Sequence, residues 1–106
     1  MTIPKQFNLF GQTITVEWNE KLLHENDYSG MAVYRENKIQ LMPNTASHPR
    51  LQSQIEASFC HELAHWFLYY ASMHLREESF LHQKEGVVDY LGHLLHQYMT
   101  SKEGEL

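Results

Sequence analysis

Residues His61-Glu62-Leu63-Ala64-His65 spell H-E-x-x-H, a pattern whose spacing has a mechanical meaning on a helix. At 3.6 residues per turn, two histidines four apart differ by about 40° around the axis and about 6 Å along it, so both imidazoles can converge on one ion. Glu62, one step on, points about 100° away and can reach a water on that ion without taking a coordination position. Zinc suits such a site: it accepts imidazole nitrogen and carboxylate oxygen in four-coordinate geometry and leaves one position to water when the site is catalytic. The chemistry is then metal-assisted hydrolysis, with His61 and His65 as metal ligands and Glu62 as the catalytic base.

One helical turn supplies only two ligands, so a third must arrive from elsewhere. Glu85, 20 residues beyond His65 and at the start of a second helix, is the expected third ligand. Asp89 follows it at i+4 on the same face and is expected to accept the free N–H of a liganding imidazole, that of His61, fixing its tautomer and orientation. Glu77, Glu78 and His82 are the rival third ligands. Two other zinc classes are excluded by the residues themselves: the metzincin extension demands Gly at position 68 and His at position 71, where the chain has Leu68 and Ala71, and the inverted motif H-x-x-E-H is absent. A polar stripe of Gln54, Ser58, His61, His65 and Ser72 runs along a helix otherwise rich in Ile55, Phe59, Leu63, Trp66, Phe67 and Tyr70; such a stripe faces a site or solvent. His93 and His96 share the side of Glu85, where they are candidates to orient Glu62 or to meet a developing oxyanion. Tyr28, Tyr34 and Tyr90 are candidate carbonyl polarisers with no assigned catalytic role. Cys60 reads as a small buried residue.

The elements that must position these side chains follow from the pattern on either side of the motif. Phe7–Phe10 and Thr13–Trp18 are β-prone runs joined at Gly11-Gln12, and Gly30–Tyr34 and Lys38–Met42 form a second hairpin around Arg35-Glu36-Asn37. Between them, Glu20–Leu23 is a candidate helical turn. Ser47 is the expected N-cap, with Pro49 in the first turn, of a long helix from Pro49 to Ser72. A second helix is expected from Lys84 to Met99, with Val87, Val88, Leu91, Leu94, Leu95 and Tyr98 as its apolar side, and Gly92 letting the two helices approach closely. The tail Thr100–Leu106 is expected to fray. Strands first and helices after make the chain one α+β unit over residues 1–106, a small N-terminal antiparallel or mixed sheet followed by the motif helix and a second helix.

On these residues the chain resembles the gluzincin-type metallopeptidases, in which H-E-x-x-H on one helix is completed by a Glu on the next. More narrowly it is similar to the minimal phage and bacterial domains related to the ImmA/IrrE family. The resemblance runs from Tyr28 to Met99: Gly30–Met42 as the hairpin, Phe59–His65 as the motif and Glu85-Gly86-Val87-Val88-Asp89 as the third-ligand segment. It implies a zincin-like fold, zinc held by His61, His65 and Glu85, Glu62 as catalytic base, and a protein or peptide substrate. ImmA/IrrE-like chains usually carry an Ala-Asn pair where Val88-Asp89 stand here, and they continue past the second helix.

Composition bounds the remaining possibilities. With 8 Lys+Arg against 13 Asp+Glu, a net charge of −5 and no basic cluster, the chain lacks the electrostatic footprint of a nucleic-acid binder. No stretch approaches the roughly 18–20 apolar residues that a bilayer requires, and the start has no signal-peptide core, so the expected compartment is the cytoplasm, where a lone Cys60 stays reduced. In 106 residues the core is small, and a bound metal is a useful source of stability. The expected activity is zinc-dependent peptide-bond hydrolysis, with an extended substrate added to an exposed strand by β-augmentation. The alternative is a non-catalytic, zinc-stabilised interaction module of phage or mobile-element origin, its zinc closed by a fourth ligand such as His82, His93 or His96.

Overall fold

A computed structural model of the chain describes residues 1–22, 28–76 and 80–106. Its order is β1 (Gln6–Leu9), β2 (Gln12–Trp18), β3 (Gly30–Val33), a 3-10 turn (Tyr34–Glu36), β4 (Lys38–Leu41), α1 (Gln52–His74), a second 3-10 turn (Leu81–Gln83) and α2 (Glu85–Ser101). The fold is α+β, with the strands in one mixed sheet of order β1-β2-β4-β3. The β1–β2 and β3–β4 pairs are antiparallel, whereas β2 and β4 run parallel, Val16 facing Ile39 and Trp18 facing Leu41. The expected helical turn at Glu20–Leu23 and the rival ligands Glu77 and Glu78 fall wholly or partly outside the described residues.

Period-two alternation explains why this sheet is covered on one side. Ile14, Ile39 and Leu41 are buried against Ile55, Phe59, Cys60 and Trp66 of α1. The opposite face carries Glu17, Lys38 and Gln40, tied together by Lys38 Nζ–Glu17 Oε1 at 2.9 Å and Gln40 Nε2–Glu17 Oε1 at 2.8 Å. Trp66, fully buried, donates its indole N–H to the Lys38 carbonyl (3.3 Å) and packs on Tyr34, Tyr69 and Tyr70, fixing the rotation of α1 against the sheet.

Several boundaries differ from expectation for local reasons. The first hairpin turns at Phe10-Gly11 rather than Gly11-Gln12: both residues have positive φ (48° and 77°), as a two-residue hairpin connection of primed type requires. Ser47 does not cap α1. Its hydroxyl lies against Thr45 and His48, and the helix starts at Gln52, beyond Pro49, with the Gln54 side chain accepting the Leu51 N–H at 2.9 Å. The chain between is held instead by Arg50, whose backbone N–H reaches Asn44 Oδ1 (2.8 Å) and whose guanidinium reaches the Met42 carbonyl (2.7 Å). At the other end α1 runs to His74, and α2 continues past Met99 to Ser101, where the Thr100 and Ser101 hydroxyls bond back to the carbonyls of His96 and Gln97.

Helix α2 also meets α1 through a narrower seam than its composition suggests. Val88 and Gly92 are buried there, while Val87, Leu94 and Tyr98 are exposed. A Cβ on Gly92 would stand 3.1 Å from the His61 Cα, so the missing side chain sets the interhelical approach at the motif itself. No helix of the described chain is long and apolar enough to cross a membrane.

Candidate metal centre

The close approach at Gly92 brings the first turn of α2 against the motif turn of α1. His61 Nε2 lies 3.3 Å from Glu85 Oε2, and His65 Nε2 lies 3.3 Å from Glu85 Oε1. One donor atom from each of the three residues falls within 4.8 Å of the others, and among the described residues this is the one such cluster. His61 and His65 are half-buried, and Glu85 is exposed, so the cluster sits at the mouth of a cleft.

The far nitrogens of the two rings decide what the near ones offer. His65 Nδ1 is 2.7 Å from the His82 carbonyl oxygen, an atom that can only accept, so Nδ1 carries the proton. His61 Nδ1 is 3.1 Å from Asp89 Oδ1, a carboxylate that likewise calls for a donor. In a neutral ring with its proton on Nδ1, Nε2 would turn its lone pair to the oxygens of Glu85. Burial pushes His65 below the usual imidazole range more than the His82 carbonyl and the Glu85 charge lift it, which disfavours the protonated ring. In that state two lone pairs and a carboxylate face one another, an arrangement that a metal cation among them would satisfy.

The dimensions agree with that chemistry. A tetrahedral zinc with ligand bonds of about 2.0–2.1 Å has ligand–ligand separations of about 3.3–3.4 Å. The two His–Glu separations, each 3.3 Å and each to a different oxygen of Glu85, are of that size. Nitrogen and carboxylate donors without a thiolate are the zinc set expected of a hydrolytic site. Cys60 adds nothing to it, being fully buried with its thiol pushed up to about 11 by that burial.

Glu62 is in the same cleft and outside the cluster. It is buried, against β3: Gly30 leaves room for it, since a Cβ there would stand 3.1 Å from Glu62 Cγ and 3.2 Å from Oε2. Burial first, and the negative charge of Glu85 second, push its carboxyl up to about 8, while a hydrogen bond from the Ala32 backbone pulls the other way. A cation in the cluster would oppose both upward effects and favour the ionised carboxylate.

The cleft has a volume of about 750 Å³ and is walled by β3, by Ala57 and Ser58 of α1, and by His82, Gln83 and Glu85. Tyr28, Tyr34 and His93 also line it, whereas Tyr90 is out in solvent. His96 is elsewhere, its Nε2 3.4 Å from Glu56 Oε1, and does not orient Glu62. The rival His82 approaches the centre through its backbone; its ring packs edge-on against Tyr34 and Tyr69. Ser72 leaves the expected polar stripe as well. It is buried, and its hydroxyl accepts the Leu81 N–H at 3.0 Å, which pins the 3-10 turn that delivers the His82 carbonyl.

His61, Glu62, His65, Glu85 and Asp89 are legible in the sequence, whereas Gly30, Ala32, the His82 carbonyl and the part Ser72 plays in presenting it emerge only from tertiary packing. The chain matches no protein-family model, no curated protein and no solved structure.

Proposed function

We propose that this protein is a zinc-dependent peptidase of gluzincin type, similar to the minimal ImmA/IrrE-like domains, and that it hydrolyses peptide bonds of a protein or peptide substrate. The observation that carries this reading is the convergence of two imidazole nitrogens on the two oxygens of one carboxylate, 3.3 Å away in each case, with a second, buried carboxylate in the same cleft but outside the cluster.

His61, His65 and Glu85 would hold the ion, and Asp89 and the His82 carbonyl keep the two rings turned so that Nε2 faces it. Zinc, when bound, supplies polarisation of a carbonyl and a lowered pKa for water. Glu62 takes a proton from the attacking water and passes it to the leaving amine as the C–N bond breaks. Gly30 and Ala32 of the edge strand β3 hold the Glu62 carboxylate at the cleft wall, and its burial keeps bulk water from competing for the proton. Because β3 is an edge, an extended substrate can lie along it by main-chain hydrogen bonding. We assign the activity to the cytoplasm on the single, buried, unpaired cysteine.

A non-catalytic zinc module is the competing reading. It needs a fourth protein ligand, and among the described residues the cluster has three members. Zinc content and a broad peptide-cleavage screen of the wild type and Glu62→Gln decide between the two. The peptidase reading expects one zinc per chain in both proteins, with cleavage reduced by about 10² to 10⁴ in Glu62→Gln. Undiminished turnover in that variant removes Glu62 from the chemistry, and a zinc with four protein ligands removes the enzyme.

A further inference from the structure

Ser29 and Ser58 form a stretch of the cleft wall that is backed by a cation. The Arg50 guanidinium donates to four neutral acceptors: the Met42 carbonyl at 2.7 Å, the Ser58 hydroxyl at 2.7 Å, the Gln54 carbonyl at 3.3 Å and the Ser29 carbonyl at 3.4 Å. Among the described residues no carboxylate pairs with it.

Directionality follows from the chemistry of the first member. A guanidinium can only donate, so the Ser58 hydroxyl accepts from Arg50 and turns its own proton to the Ser29 hydroxyl, 3.4 Å away. Ser29 Oγ is thereby the acceptor of that bond, and its proton is left for a group in the cleft. Such a series of aligned donors anchored in a charge polarises its last member. Ser29 is also fixed in place, since its carbonyl takes the Met42 N–H at 3.0 Å as well as Arg50. The cleft thus carries a cation-backed hydroxyl as well as the carboxylates of Glu62 and Glu85.

We infer that Ser29, Ser58 and Arg50 form a specificity subsite for a substrate carboxylate, from an acidic side chain or a free C-terminus. The inference rests on the peptidase reading of the same cleft and deepens it by naming the substrate class. Ser29 is the contacting residue, and Arg50 acts through Ser58 as a positioning and polarising residue.

The test is peptide binding to zinc-loaded Glu62→Gln, followed by fluorescence anisotropy. One arm uses short peptides blocked at both ends and differing only in Glu or Gln at a single position walked along the chain. The other compares free-acid with amidated peptides that have no acidic side chain. One arm should show a carboxylate preference of about tenfold or more, the scale of a hydrogen bond to a charged group. Ser29→Ala and Arg50→Lys in the same background should each abolish most of that preference at unchanged zinc content. Equal binding in both arms, or a preference that survives both substitutions because the carboxylate is on the metal, overturns the subsite. Wild-type hydrolysis without preference keeps the peptidase and removes the subsite. A Ser29-dependent preference in a chain that cleaves nothing keeps the subsite and removes the peptidase, and failure of every peptide to bind removes both.

Discussion

Glu62 and Gly30 face one another across the boundary between helix and sheet, and on the proposed function the space between them decides whether Glu62 can serve as the base. A Cβ at position 30 would stand 3.1 Å from Glu62 Cγ, an atom of a flexible side chain that can yield. Gly30→Ala should therefore fold and bind zinc normally while displacing the carboxylate, lowering kcat/KM by about ten- to a hundredfold, the scale of a misplaced catalytic group. Gly86→Ala is the matched control, because a Cβ there meets nothing within 4 Å. Steady-state rates and metal content for the two variants check the expectation, and equal losses in both would place the effect elsewhere. Residues of this kind also mark the boundary of what sequence could reveal. His61, Glu62 and His65 are fixed to one another by helical period alone, and Glu85 and Asp89 by a second helix. Gly30 lies 32 residues before Glu62, and nothing local to either position records their contact.

Two elements hold the cluster together, and each can be loosened without touching a ligand. The seam between α1 and α2 is set at Gly92, whose added Cβ would press at 3.1 Å on the His61 backbone, which cannot rotate away. Gly92→Ala should force the helices apart, costing about 1–3 kcal/mol of stability. It should also weaken zinc by about tenfold, as measured by thermal melts and chelator competition. Ser72→Ala removes the acceptor for the Leu81 N–H and frees the 3-10 turn that presents the His82 carbonyl to His65. A loss of about 1 kcal/mol is expected, with zinc affinity falling while Glu85→Ala remains the more severe lesion. Element types and order were legible because period-two alternation in β2 and β4 and the apolar content of α1 are strong signals. Ends were less so: Ser47 has the right chemistry for a cap, but its hydroxyl is engaged within its own turn and Arg50 secures the entry instead. The outward turn of Val87, Leu94 and Tyr98 was hidden because the smallness of Gly92, rather than the bulk of its neighbours, chooses the buried side.

For the whole molecule, a metal held by the folded cluster would link binding to folding, so on the proposed function zinc at about 100 times its Kd should stabilise the chain by about 2.7 kcal/mol and raise Tm by roughly ten degrees. The size of that increment should depend on pH with a defined sign. Glu62 has its carboxyl raised from 4.5 to about 8 in the folded, metal-free chain, so its contribution to stability is complete below 4.5 and drains away as pH rises toward 8. His65 is held below its ordinary 6.5, so its contribution is complete above 6.5 and is lost as pH falls through the depressed value. Zinc requires neutral imidazoles and compensates an ionised Glu62, so the zinc-induced rise in Tm should grow between about pH 5 and 8. Melts with and without zinc across that range check it, and a flat increment would separate these groups from the metal. The placement of the two tryptophans makes such experiments simple. Trp66 has no exposed surface and adjoins His65 in sequence, while Trp18 is 57% exposed on the sheet rim. A collisional quencher will reach the emission of Trp18 and leave that of Trp66 until the core opens, giving the protein a native optical reporter within the helix that carries His61 and His65.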